Sequence, residues 1–166
     1  MHREPILRQA PASTARESRK WHPVSELAAE TAGPRLVELP TFVDERGSVS
    51  VIEWEGVLPF QPRRLYYLHH LAHGTRRGGH AHWIDQEVIL ALSGRFIVAT
   101  DDGSSRREHL LDQPNIGLHI PSLIWHQLHS FSAGAVCAVL ASEPYNEQDY
   151  IRDYDRFLKD SRKRRQ

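Results

Sequence analysis

The stretch His80-Ala81-His82-Trp83-Ile84-Asp85-Gln86-Glu87, followed by an apolar run over residues 88–92 and by Gly94, constrains this chain more than any other. On a β-strand successive side chains alternate between faces, so His80 and His82 point the same way. If that face lines a cavity, two imidazoles share one small volume. Histidine is only intermediate in burial, so an isolated pair at this spacing is as readily a surface pair on a loop. Here a carboxylate follows at a fixed offset and a strand-like apolar run comes next. A further histidine, His126, stands downstream in Pro121-Ser122-Leu123-Ile124-Trp125-His126. Together these favour the shared cavity.

The rest of the chain supplies strands around this stretch. Residues 36–39 read as a short strand, and Asp44-Glu45-Arg46-Gly47 as a turn in which Gly47 takes positive φ. Residues 48–54 alternate as a strand, with Val49 and Val51 on one face. Pro59 and Pro62 bracket an extended loop. In the strand over residues 64–68, Arg64, Tyr66 and Leu68 share one face and Leu65 and Tyr67 the other. Residues 69–79 form a glycine-rich loop. Further strands are expected over 94–100, 106–111, 117–120, 125–131 and 135–141, with Asp101-Asp102-Gly103 as hairpin turn chemistry. Short strands at this spacing argue an all-β barrel or sandwich. Residues 146–159 carry Tyr150, Ile151, Tyr154, Phe157 and Leu158 at helical offsets, which predicts a short helix packed on the outside.

At 166 residues the chain holds one domain. Residues 1–33 are polar and proline-spaced, with room for a short helix over 24–30, and read as a flexible extension. The domain spans 34–160, and 161–166 is a basic tail. Basic and acidic residues balance at 21 each, so no global field favours nucleic acid or an anionic membrane. No apolar stretch is long enough to span a bilayer, and the N-terminus lacks the apolar core of a secretory signal. The single cysteine, Cys137, excludes an internal disulfide framework and sits in an apolar run, which suits the cytoplasm.

The two histidine phrases resemble the paired motifs of the cupin barrels, H-x-H-x4-E-x6-G and P-x-G-x2-H, with Leu123 where glycine is usual. Within the cupins the chain resembles the sugar-nucleotide 3,4-ketoisomerases, also called WxcM-like. The matching phrases are Arg46-Gly47-Ser48, Leu58-Pro59-Phe60, Arg64-Leu65-Tyr66-Tyr67, Arg76-Arg77-Gly78-Gly79-His80-Ala81-His82, Ile124-Trp125-His126, Leu140-Ala141-Ser142 and Asp149-Tyr150-Ile151-Arg152-Asp153-Tyr154-Asp155. They run over residues 36–158. The resemblance implies a homodimer of all-β cupin jelly rolls with a short C-terminal helical segment. It implies a dTDP-4-keto-6-deoxyhexose substrate whose ketone moves between C4 and C3, with no cofactor.

That chemistry removes the C3 proton, stabilises enediolate oxygens and returns a proton at C4. Imidazole can accept and return a proton near neutrality. The resemblance favours His82 as main base and His80 as its partner, a division the residues alone leave open. Tyr66 is a further catalytic candidate. Arg64, Arg77, Trp125 and His126 are substrate-binding candidates, Arg64 and Arg77 because a guanidinium holds a diphosphate in a fork. The family usually has glutamine at Glu87 and often a basic residue at Trp83. Glu87 therefore opens a second reading, a metal-dependent cupin enzyme holding one divalent ion with His80, His82, Glu87 and His126. A non-catalytic sugar-nucleotide-binding cupin and a structural dimerisation module are the readings from other classes.

Overall fold

In the computed structural model, residues 33–163 are described. Residues 1–32 of the expected extension, with its short helix, and residues 164–166 of the expected tail lie outside them. Twelve strands are seen among the described residues: β1 (Arg35–Glu38), β2 (Thr41–Asp44), β3 (Gly47–Ser50), β4 (Arg64–Leu68), β5 (Arg77–His82), β6 (Glu87–Ser93), β7 (Phe96–Asp101), β8 (Arg106–Leu111), β9 (Ile116–Ile120), β10 (Trp125–His129), β11 (Val136–Ala141) and β12 (Tyr150–Ile151). One helix, α1 (Tyr154–Lys163), follows.

Two five-stranded sheets, β1-β9-β6-β11-β4 and β12-β5-β10-β7-β8, face each other as a jelly roll. Their ladders are antiparallel, and β2 pairs with β3 as a separate hairpin. Between the sheets lie Ile89, Leu118 and Val139 from the first, and Phe96, Val98 and Leu128 from the second. β6 is buried on both faces over most of its length. Ile89 and Ala91 point between the sheets, while Val88 and Leu90 pack outward under Leu39, Leu58 and Phe60. That double burial explains why residues 88–92 read as an unbroken apolar run instead of an alternation.

The expected helix over 146–159 is built differently. Glu147–Asp149 is a single 3₁₀ turn capped by the Asn146 side chain, and Tyr150–Ile151 adds an edge strand to β5. Helical structure proper begins only at Tyr154 and continues to Lys163, past residue 160. Phe157 of α1 packs on Ala81 and Ile151, on the outside of the second sheet. β3 stops at Ser50 instead of running to residue 54, because its partner β2 ends opposite it at Thr41. β5 starts earlier than expected, inside the glycine-rich segment. Gly78 and Gly79 take φ of 73° and 75° beside a register shift against β10. A Cβ on Gly78 would lie 2.8 Å from the His126 carbonyl oxygen, so only glycine lets β5 approach β10 here.

Candidate active site

The ladder places four rings on one face. His126 of β10 pairs directly with His80 of β5, and Tyr150 of β12 pairs directly with His82. Opposed residues of an antiparallel ladder share a face, as do residues two apart. The ring centroids of His80 lie 4.6 Å from His126, 4.9 Å from His82 and 4.8 Å from Tyr150; His82 and Tyr150 are 4.3 Å apart. Facing them from the first sheet are Arg64 and Tyr66 of β4 and Glu87 of β6. A cavity of about 410 Å³ opens between the sheets, lined by His80, His126, Glu87, Tyr66, Tyr150 and, among others, Arg64.

Glu87 is the electrostatic centre. The Tyr66 hydroxyl donates to its Oε1 at 2.7 Å. His126 Nε2 lies 3.2 Å from Oε2 and His82 Nε2 3.8 Å from Oε1. Burial opposes its charge, but His126, His82 and Tyr66 outweigh that and hold its carboxyl down at about 2. Burial and the same carboxylate push the Tyr66 phenol far up, so Tyr66 is a donor at any working pH. Burial, with His126 and His82 nearby, lowers His80 to about 3, while Glu87 pulls the other way. Burial also lowers His82.

The two central histidines differ in their settings. Neither ring nitrogen of His80 has a hydrogen-bond partner among the described residues, and the ring lines the cavity. His82 is 3% exposed and stands behind that lining. Its Nδ1 donates to Asp149 Oδ2 at 3.0 Å, which leaves Nε2 as the lone-pair nitrogen. Asp149 itself accepts from the backbone amides of Ile84 and Asp85 at 2.9 and 3.1 Å.

Arg64 reaches the cavity but its Nη2 donates to the buried Asp85 at 2.9 Å. Asp85 is fixed in turn by Ser142 Oγ and the Glu143 amide. Arg77 lines the cavity from an exposed position. Trp125 does not join the site. It neighbours His126 on β10, so it faces the other way, against Tyr154 and Phe157 at centroid distances of 5.0 and 5.6 Å. Strand alternation around His126 is the signal that excludes it. Tyr150, Asp149, Asp85 and Arg152, to which the sequence assigns no role, complete the site. The helical offsets in the sequence predict Tyr150 as helix packing, although its phrase is among those carrying the resemblance.

The family described as WxcM-like, C-terminal (FdtA) matches residues 32–162. The chain belongs to this family. A curated member, the TDP-4-oxo-6-deoxy-alpha-D-glucose-3,4-oxoisomerase of Aneurinibacillus thermoaerophilus, is 39% identical over 125 residues, 75% of this chain and 90% of that protein. The sugar 3,4-ketoisomerase QdtA of Thermoanaerobacterium thermosaccharolyticum, solved in complex with TDP, superposes with a TM-score of 0.77 at 31% identity, covering 80% of this chain and 97% of that one. A histidine-to-asparagine mutant of the same enzyme, solved with TDP-4-keto-6-deoxyglucose, gives the same score at 30% identity over 81% and 97%. An epimerase of Mycobacterium tuberculosis, at 18% identity and a TM-score of 0.60 over 73% and 68%, shares the fold alone. The cupin jelly roll and the family expected from the sequence are both borne out.

Proposed function

We propose that this protein is a sugar-nucleotide 3,4-ketoisomerase that moves the keto group between C4 and C3 of a dTDP-4-keto-6-deoxyhexose. The observation that carries the reading is the convergence of His80, His126, Glu87 and Tyr66 on one cavity, with His82 packed directly behind His80, in a chain whose relatives are named for this reaction.

A base removes the C3 proton, and the electron pair forms the C3–C4 enediolate with charge on O4. The hydroxyl proton passes from O3 to O4 as the carbonyl re-forms at C3, and a proton is delivered to C4. Substrate and product are isomers, so no external oxidant is consumed. His80 is the imidazole that meets the sugar, because it lines the cavity and His82 does not. This reverses the division favoured by the resemblance. Its neutral form is the competent one, and Glu87 offsets the cost of the imidazolium that forms during transfer. His82, oriented by Asp149, supports it from behind. Arg64 and Arg77 face the diphosphate end.

A homodimer belongs to the same reading. Leu65 and Tyr67 expose apolar surface on β4, an edge strand, and Val43, Val49 and Trp54 do so in and after the hairpin. We place the protein in the cytoplasm, where Cys137, buried and with its thiol pushed up to about 12 by burial, stays reduced and inert. No helix among the described residues is long and apolar enough to cross a membrane.

The test is incubation with dTDP-4-keto-6-deoxyglucose in D2O, followed by NMR. The expected product is the 3-keto isomer carrying deuterium at C4. Unchanged substrate, with dTDP binding verified, overturns the enzyme and leaves a sugar-nucleotide-binding module.

A second reading rests on one observation: donor atoms of His80, Glu87 and His126 all lie within 4.8 Å of one another. Two imidazoles and a carboxylate fit Zn, Fe, Ni or Mn. His82, the remaining member of the set expected from the sequence, groups instead with Asp85 and Asp149, whose oxygens already accept protein hydrogen bonds. Elemental analysis of the purified protein separates the two readings.

A further inference from the structure

We propose that Glu147 is a positioning residue that holds Arg152 ready for the anionic diphosphate end of the substrate. The inference rests on the ketoisomerase reading and adds a part to it.

Three arginines line the cavity, Arg64, Arg77 and Arg152. Arg64 is tied to the buried Asp85. Arg152 sits on the surface, where a long side chain is ordinarily spread over many rotamers. Here it is held from two sides. Its guanidinium lies 4.5 Å above the centroid of Tyr150, the ring packed on His80 and His82. Its Nε and Nη2 donate to the two oxygens of Glu147 at 2.9 and 3.1 Å. That pairing uses one edge of the guanidinium and leaves Nη1 and its hydrogens for another acceptor.

Glu147 is itself fixed. The Tyr145 hydroxyl donates to its Oε2 at 2.5 Å, and Asn146 Oδ1 accepts from the Gln148 amide to hold the 3₁₀ turn. Glu147 is not among the residues lining the cavity, whereas Tyr145, Tyr150 and Arg152 are. The carboxylate thus stands behind the arginine and steers its unused edge. The same turn ends in Asp149, the residue that orients His82. One short turn therefore sets both the anion-binding arginine and the supporting imidazole. Ordering Arg152 before the ligand arrives removes a cost that binding would otherwise bear.

The experiment is titration of dTDP into the wild-type protein and into Glu147→Ala, Glu147→Gln, Arg152→Met and the double variant Glu147→Ala/Arg152→Met. Glu147→Ala and Arg152→Met should each weaken dTDP binding by about three- to tenfold, the scale of one pre-ordered side chain. Glu147→Gln, which keeps an acceptor oxygen, should recover part of the loss. The double variant should bind within about twofold of Arg152→Met, because both changes remove one interaction. KM for dTDP-4-keto-6-deoxyglucose should rise in parallel with kcat held. Unchanged or tighter dTDP binding in Glu147→Ala overturns the proposal, as does an additive loss in the double variant. Absence of turnover in the wild type, with the dTDP pattern intact, would instead sink the ketoisomerase reading and leave the role of Glu147 standing.

Discussion

Asp149 Oδ2 lies 3.0 Å from His82 Nδ1, across a join between segments 67 residues apart in sequence. The carboxylate is held by two backbone amides of the β5–β6 connection, so it cannot rotate away from the ring. It fixes the His82 tautomer and stabilises positive charge on the imidazole. Asn at this position keeps one acceptor oxygen but turns an NH2 group toward donors. Asp149→Asn should lower kcat by about tenfold or more while leaving the far-UV spectrum unchanged. Steady-state turnover and circular dichroism measure the two.

His80 and His82 should separate in mutagenesis. His80 lines the cavity with both nitrogens uncommitted, and His82 stands behind with one committed. His80→Asn should cost about 10²–10⁴ in kcat, the range for removing a proton-transfer group. His82→Asn should cost less. If single-turnover rates show the reverse order, the base is His82 and the cavity lining has misassigned the pair.

Glu87→Gln distinguishes the metal-free site from a metal site. The amide oxygen still accepts from Tyr66, but the counter-charge to His80 is gone, so His80 becomes a still weaker base. Turnover should fall by no more than about tenfold. The wild type should survive chelation and dialysis and carry well under one ion per chain. A metal site would show about one ion per chain, lost together with turnover in the variant.

Leu123 sits at φ 58°, a left-handed conformation that favours glycine. Its amide donates to the His82 carbonyl at 2.7 Å, so the turn ties the end of β5 to the start of β10. The side chain packs against the buried cluster of Ala81, Ile151 and Phe157. Leu123→Gly should relieve about 1 kcal/mol of backbone strain and lose a similar amount of packing, for little net change. Leu123→Ala loses the packing and keeps the strain, so it should be the less stable of the two. Denaturant unfolding gives the order; an alanine variant above the glycine variant would contradict the strain argument.

Much of the site was legible because strand geometry is strict. The spacing of His80 and His82 set their common face, and the alternation in residues 64–68 put Arg64 and Tyr66 on one shared face, which the structure turns inward. The same rule applied to Trp125 would have turned it outward once His126 was taken as inward. Tyr150 was illegible for a different reason. A two-residue strand has no periodicity, and Tyr150 and Ile151 happen to fall in phase with the helix that follows. Only the unpaired edge of β5 makes them a strand. Gly78 and Gly79 read as loop because their role, close approach of two strands, depends on a partner far along the chain.

Buried imidazoles, His119 and His80 among them, limit stability on the acid side. Burial, reinforced by Arg35, lowers His119 to about 4, and burial with two neighbouring histidines lowers His80 to about 3. An unfolded histidine titrates near 6.5. Above that pH both states are neutral and neither group matters. Below it the unfolded chain binds protons that the folded chain refuses, so stability falls from about pH 6.5 down to each folded value. By pH 5 each histidine should account for about 2 kcal/mol of lost stability. Glu87 acts in the same direction: its folded value is about 2, so its contribution is likewise lost on acidification, starting lower, from the ordinary carboxylate range downward. The histidine losses begin first, so between about pH 6.5 and pH 5 they act without Glu87, and below that range the losses overlap. His119 lies outside the cavity, with Nε2 on Gln86 Oε1 at 3.0 Å. His119→Asn keeps a donor toward Gln86 and removes the titration. The fall in Tm between pH 7 and pH 5 should shrink in this variant relative to the wild type, while activity at pH 7.5 is unaffected. An identical fall in both proteins would show that His119 is not a source of the acid lability.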